Sequence, residues 1–236
     1  MPRLLILVEG ETEETFVNEV LADYLYAMGF HSVAARLMGN ARKRNRRGGI
    51  RGWSQVRGEI IRYLTNDSTL YISTMVDYYG LPEQGKIDHE WPGRSYAKCL
   101  QYPFKARHIE NELKKDVAIH LENSLSADRF IPYIMMHEFE GFLFSDCQKF
   151  ANSICRDDLY DDFLGIRKEF STPEEINDSP NTHPSRRIKD LMPAYQKPIH
   201  GNVAALDIGL NTFMQECPEF CRWIERIKNK ILSSPH

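Results

Sequence analysis

Leu4-Leu5-Ile6-Leu7-Val8-Glu9-Gly10-Glu11-Thr12-Glu13 is the stretch that decides the fold. Its unbroken apolar run is too short for a buried helix and ends at a glycine. That is the signature of a strand covered on both faces, as in parallel sheets. Gly10 permits a sharp turn, and Thr12 is placed to cap a helix beginning near Glu13. Over 12–28, Phe16, Val20, Leu21, Tyr24 and Leu25 recur at helical spacing. The segment therefore reads strand, tight turn, helix.

Two further runs have the same form. Leu70-Tyr71-Ile72-Ser73-Thr74-Met75-Val76 leads into Asp77, and Phe130-Ile131-Pro132-Tyr133-Ile134-Met135-Met136 leads into His137-Glu138-Phe139-Glu140. Residues 31–38 supply another candidate strand. Helical spacing marks 53–64 and 104–121, and a helix is expected over about 139–150. The Gly- and Pro-rich stretch 78–103 reads as a long functional loop, because structureless loops of that length are otherwise uncommon in compact domains. Beyond residue 150 strand signals fade into short helical segments broken by prolines. The last of these, over 218–232, carries Phe220, Trp223, Ile224, Ile227 and Ile231 at helical spacing. The expected architecture is an α/β core over 1–150, with a mostly parallel sheet flanked by helices and bearing a metal site. A helical C-terminal part over 151–236 packs on that core.

Bulk properties exclude several classes. The length of 236 residues suits one large domain or a domain with a helical appendage. Apolar residues at 42% and charged ones at 27% are the balance of an ordinary soluble protein. No apolar run is long enough to span a membrane, and the N-terminus lacks the pattern of a signal peptide, so a cytoplasmic setting is expected. Five scattered cysteines do not make a disulfide framework. Cys217 and Cys221, without a second cysteine pair, read as ordinary thiols.

In an open parallel sheet, ligands bind where the carboxyl ends of the strands emerge. Carboxylates delivered there by separate strands form a hard-oxygen site suited to Mg²⁺ or Mn²⁺. Glu9 and Asp77 are the first candidates, with Glu13, Glu138 and Glu140 beside them. Glu11 and Glu14 serve better as acids complementing a helix N-terminus. Glu138 and Glu140 would point the same way on an extended segment and diverge on a helix, so only one reaches the site if the helix starts early. His137 reads as a loop residue or a neighbour of the ligands.

The net charge of −3 gives no global attraction for nucleic acid. Over 42–51, however, Arg42, Lys43, Arg44, Arg46, Arg47 and Arg51 cluster around two glycines, a local basic loop suited to a polyanion. Pro184-Ser185-Arg186-Arg187-Ile188-Lys189 and Lys197 offer further positive groups able to hold a phosphate and stabilise charge in a transition state. Tyr195 and Gly201 give the Lys197 segment a hinge-like character. Aromatic residues over 78–102 are candidates to stack a base.

Val8-Glu9-Gly10 with Thr12-Glu13, Asp77-Tyr78-Tyr79-Gly80-Leu81-Pro82, Trp91-Pro92-Gly93, His137-Glu138-Phe139-Glu140-Gly141, Pro184-Ser185-Arg186-Arg187-Ile188 and Tyr195-Gln196-Lys197 together resemble the bacterial family called domain of unknown function 4276. The resemblance runs from residue 1 to about 232. That family is related to the RloB-like proteins and more distantly to Toprim domains of topoisomerases, primases and overcoming-lysogenization-defect nucleases. The resemblance implies a Toprim-like, Rossmannoid sheet with Glu9 and Asp77 around Mg²⁺. It also implies Glu140 as the acid after the fourth strand, and Glu13 as the extra acid of the nuclease branch. One departure stands out: the Asp-x-Asp of Toprim domains is Asp77-Tyr78-Tyr79 here. Either Glu138 or Glu140 replaces the second Asp, or the metal site is weaker.

The function expected from these residues and the resemblance is a metal-dependent nuclease cleaving DNA or RNA. Glu9, Asp77 and Glu140 hold metal, Glu13 is a second-site ligand or base, and Arg187 or Lys197 contacts the scissile phosphate. Arg186 and the basic loop contact nucleic acid. The resemblance also implies an ABC- or AAA-type ATPase partner and a role as effector in phage defence or a toxin system. Two alternatives stand beside it: a catalytically weak nucleic-acid- or partner-binding subunit of an ATPase-associated complex, and a phosphohydrolase acting on a small nucleotide.

Overall fold

The computed structural model of the protein describes residues 1–38, 50–82, 90–121, 124–176, 179 and 181–232. A parallel sheet of five strands has the order β2-β1-β3-β4, with the short β5 also pairing β3. The strands are β1 (Arg3–Val8), β2 (Ser32–Leu37), β3 (Leu70–Asp77), β4 (Phe130–Ile131) and β5 (Ile134–Met135). Leu4 lies beside Val33 on one side of β1 and beside Tyr71 on the other, so β1 is central. β3 is buried along its whole length, as its apolar run requires.

The chain leaves β1 for β2 on one side and returns to β3 on the other. The gap beyond the carboxyl ends of β1 and β3 is therefore the switch point at which open α/β sheets bind ligands. The helix after β1 runs from Glu11 to Ala27, with a π-type turn over Val17–Leu21 in its middle. Helices Trp53–Asn66 and Phe104–Ile119 sit among the residues that bury the other face, including Ile60, Ile72, Leu113 and Ile134.

Three expectations need correction. The single strand over 130–136 is two short strands, because Pro132 cannot donate to a ladder and Tyr133 pairs instead with the Thr74 hydroxyl. The helix expected over 139–150 is a 3-10 segment, Phe139–Ser145, followed by the α-helix Cys147–Ser153, whose Asp146 caps the Lys149 amide. The described residues of 78–103 are not one continuous loop, and of their aromatic rings that of Tyr96 is exposed while others are not. Tyr78 and Trp91 are buried, Arg94–Ala97 is helical, and the Tyr102 hydroxyl donates to Glu174.

The C-terminal helices share one core with the sheet. Phe16, Phe139 and Phe142 pack with Phe213 and Phe220. Helix Pro218–Leu232 is fastened by buried polar contacts. The Glu174 carboxylate accepts the Glu219 and Phe220 amides at its first turn, and Arg222 and Arg226 converge on buried Glu110 at 2.5 and 2.7 Å. Fully buried Trp223 stacks on Tyr133 with centroids 4.5 Å apart and donates to the Ser73 hydroxyl of β3 at 2.9 Å.

Trp223 is thus the bolt between the last helix and the central strand. Trp223→Ala is expected to cost about 3–5 kcal/mol of stability. Ser73→Ala, which orphans the indole N–H, is expected to cost about 1–3 kcal/mol. Urea unfolding at neutral pH measures both; equal, small losses would show that the helix is not held through this contact.

Candidate active site

Glu9 follows the last residue of β1, and Asp77 closes β3. In the register of the two strands Val8 lies beside Met75, so both acids emerge at the same rim. Glu13 comes from the first turn of the helix after β1 and is buried, an anionic side chain where the helix terminus favours one. Glu140 lies in the first turn of the 3-10 segment that follows β5 and is buried as well.

Lys197 completes the cluster. Its Nζ stands 3.1 Å from Glu13 Oε1, 3.1 Å from Asp77 Oδ2 and 3.3 Å from Glu140 Oε2, three carboxylates from three separate parts of the chain. The lysine opens the turn Lys197–Gly201, which runs directly into helix Asn202–Ile208. The other Asp77 oxygen, Oδ1, accepts the Phe139 amide at 3.1 Å. That bond ties the end of β3 to the segment bearing Glu140.

Electrostatics follow from this crowding. Burial first, then Glu13, push the Glu9 carboxyl up to about 7, while Lys197 and the Asp77 amide pull it back. Burial likewise raises Asp77 and Glu140 above the usual carboxylate range, opposed chiefly by Lys197. Burial works against the Lys197 ammonium, yet Asp77, Glu140 and Glu13 outweigh it and hold its pKa well above the ordinary value. His137 is pushed down to about 4, by burial first and then by Lys105, so its ring is neutral at pH 7.

The fate of each expected residue is distinct. Glu9, Glu13, Asp77, Glu140 and Lys197 are brought together. Glu138 stands beside them but is engaged elsewhere: its Oε2 accepts the Ser185 amide at 3.0 Å, at the start of helix Pro184–Leu191, and lies 3.2 Å from His183 Nδ1. Glu138 is extended and Glu140 helical, so only the latter reaches the lysine. The two arginines stand apart from the carboxylate cluster. Arg187 donates to the Thr182 carbonyl, pairs with Glu169 and lies over the Phe170 ring, contacts that hold it outside the carboxylate cluster. Arg186 pairs with Asp190 one helical turn away on the surface. Arg42, Lys43, Arg44, Arg46 and Arg47 lie outside the described residues, while the Arg51 carbonyl accepts the Trp91 indole N–H.

Gly80 was not singled out in the sequence as a site residue. A Cβ built there would stand 2.5 Å from Glu9 Oε2 and 2.8 Å from Glu9 Oε1. A side chain there would displace the Glu9 carboxylate and the Ile50 methyl from where they lie, and the glycine's place three residues after Asp77 is the one signal the sequence offers. Tyr79 and Tyr195 are not among the site residues that the sequence marks. Both turn a buried hydroxyl without a hydrogen-bond partner into the molecule, and the carboxylates of Glu138 (Tyr79) and Glu140 (Tyr195) raise their pKa values further after burial.

The donor chemistry suits a divalent cation of the Mg²⁺ class. All four carboxyl groups are hard oxygen donors, and Glu9 Oε2 is buried without a hydrogen-bond partner. As the side chains stand, among the described residues no group of three or more His, Cys, Asp or Glu is set to hold a metal ion. The three oxygens around Lys197 lie 3.1–3.3 Å from its nitrogen, a wider ring than the ~2.1 Å that Mg²⁺ demands. The residues fit the ion, and the present arrangement is closed on the ammonium.

The family described as a domain of unknown function, DUF4276, matches residues 8–228, and the chain belongs to it. Neither the curated proteins nor the solved structures contain a match. Among the described residues no helix is long and apolar enough to cross a membrane.

The raised Glu9 carboxyl sets a pH dependence. Between its ordinary value of 4.5 and about 7, folded protein retains a proton that the unfolded chain has lost, so stability falls as pH rises through this window. Glu9→Gln has no such proton to lose. Its melting temperature relative to wild type, in chelator, is expected to rise between about pH 5 and about pH 8; a flat difference across that range would show that Glu9 titrates normally.

Proposed function

We propose that this DUF4276 chain is a metal-dependent nuclease that hydrolyses phosphodiester bonds of DNA or RNA. The observation that carries the reading is the convergence of Glu9, Glu13, Asp77 and Glu140 at the switch point of a parallel sheet, with Lys197 among them. Glu9, Asp77 and Glu140 are the residues to hold Mg²⁺ or Mn²⁺, with Glu13 as a second-site ligand or general base. Such an ion, when bound, supplies Lewis acidity and lowers the pKa of water. The protein's own contributions are separate. Before an ion is bound, the Glu9 carboxyl, raised to about 7, is suited to exchange a proton at neutral pH. Lys197, which adjoins the carboxylates where Arg187 does not, is the cation we assign to a phosphate at the rim.

The basic run over 42–51 supports a polyanionic substrate: it follows β2, whose carboxyl end lies beside that of β1. The similarity of the motifs to Toprim-related nucleases supports the same reaction class. We extend the proposal to a cytoplasmic setting and to an ABC- or AAA-type ATPase partner in a defence or toxin system.

One observation favours a second reading, a catalytically weak subunit that binds nucleic acid or a partner. The ammonium fills the cluster, and Tyr79 stands two residues after Asp77 where Toprim domains carry a second Asp.

Cleavage of plasmid, single-stranded DNA and tRNA in Mg²⁺ or Mn²⁺ tests the proposal. Wild type is expected to cut at least one of them, and Glu9→Gln and Asp77→Asn to lower the rate by about 10²-fold or more while remaining folded by circular dichroism. Undiminished cutting by Asp77→Asn removes the site from the reaction. Tight retention of nucleic acid without cutting points to the second reading.

A further inference from the structure

The Lys197 ammonium lies where a metal ligated by Glu13, Asp77 and Glu140 would have to lie, in contact with one oxygen of each. Two cations cannot share that space. Four carboxyl groups surround or adjoin a single ammonium. A divalent ion at the same point would favour the ionised form of more of them.

The side chain is also built to leave. The Glu13, Asp77 and Glu140 side chains are at most 9% exposed, whereas that of Lys197 is 30% exposed, so its stem opens to solvent. The lysine lies at the start of its own turn, after Gln196 in extended conformation, and is not locked mid-helix. The carboxylates, by contrast, are anchored by β3, by the helix after β1 and by the Phe139 amide on Asp77.

We propose that Lys197 is the resident counter-ion of the metal-free protein, and that it and a divalent cation occupy the Glu13–Asp77–Glu140 cluster in alternation, the lysine withdrawing to the rim when the site is loaded. The device keeps the buried carboxylates from standing uncompensated before loading, which would otherwise destabilise the fold. It also couples loading to the delivery of a positive side chain to the rim, where a phosphate would bind. The inference rests on the second-site role that the preceding section gives Glu13, with Asp77 and Glu140 as its fellow ligands, and not on cleavage itself.

Two measurements on the full chain test it. Calorimetric titration with Mn²⁺ compares wild type with Lys197→Met, which keeps the apolar stem and removes the charge, and with Lys197→Arg, which keeps the charge. Lys197→Met is expected to bind Mn²⁺ about 10-fold more tightly than wild type, within the 5–150-fold range of coupled sites, and Lys197→Arg no more tightly than wild type. Independently, acetylation of Lys197 in wild type, read by mass spectrometry, is expected to be slow in chelator and to accelerate with saturating Mn²⁺. Because this second measurement uses wild type alone, it decides the question even if Lys197→Met does not fold.

Equal Mn²⁺ affinity in wild type and Lys197→Met, or a Lys197 amine that stays protected at saturating Mn²⁺, overturns the inference. Alternation without any cleavage of nucleic acid leaves it standing and defeats the nuclease reading. Absence of Mn²⁺ binding in every variant overturns both.

Discussion

Buried negative charge needs a cation, and the architecture is organised around that need. Glu13, Asp77 and Glu140 are gathered where the strands end, in a setting that raises the cost of ionising Asp77 and Glu140. Removing one partner of a buried ion pair is more destabilising than the pair is stabilising, because the remaining charge is left without water or counter-charge. Lys197 is therefore part of the core's electrostatics, although it lies 120 residues after Asp77. The sheet supplies the acids and the helical C-terminal region supplies the base.

That dependence explains the strength of the contacts fastening the C-terminal helices to the sheet. Trp223 reaches Ser73 in β3, Arg222 and Arg226 meet on Glu110, and Glu174 takes the first amides of helix Pro218–Leu232. Each of these joins a residue before 175 to one after 217. Helix Asn202–Ile208, which continues the Lys197 turn, buries Ala204, Ala205 and Ile208 in the same core as Phe16 and Phe142. A lysine delivered by a loosely docked segment would spend its time in water. Here packing on both sides of it fixes where the ammonium arrives.

Much of this was legible in the chain, for local reasons. Apolar runs that stop at an acid report both a buried strand and the end at which ligands gather, so Glu9 and Asp77 could be placed from periodicity alone. Lys197 was legible as a positive residue but not as the partner of three carboxylates, since no local pattern encodes a contact across 120 residues. Arg187 misled because a basic helix start gives no indication of which neighbour claims each guanidinium; Glu169 and the Thr182 carbonyl do so here. Tyr78 and Trp91 misled in the opposite sense. Gly and Pro around them suggested an exposed loop, yet rings of that size are most stabilising when buried, and Trp91 packs 5.0 Å from Trp53. Gly80 looks like any turn glycine until the Glu9 carboxylate is seen lying against it.

The two glutamates that follow β5 take opposite courses. Glu138, extended, is drawn to the N-terminus of helix Pro184–Leu191, where the Ser185 amide and His183 hold it. Glu140, in the first turn of the next segment, turns inward to the lysine. Tyr79, two residues after Asp77, has a buried hydroxyl close enough to Glu138 for that carboxylate to raise its pKa. Asp77 is joined around the lysine by Glu140, and by Glu13 from the helix after β1. The cluster keeps its negative charge while drawing its donors from several elements, and any motion of those elements changes how tightly a cation is held.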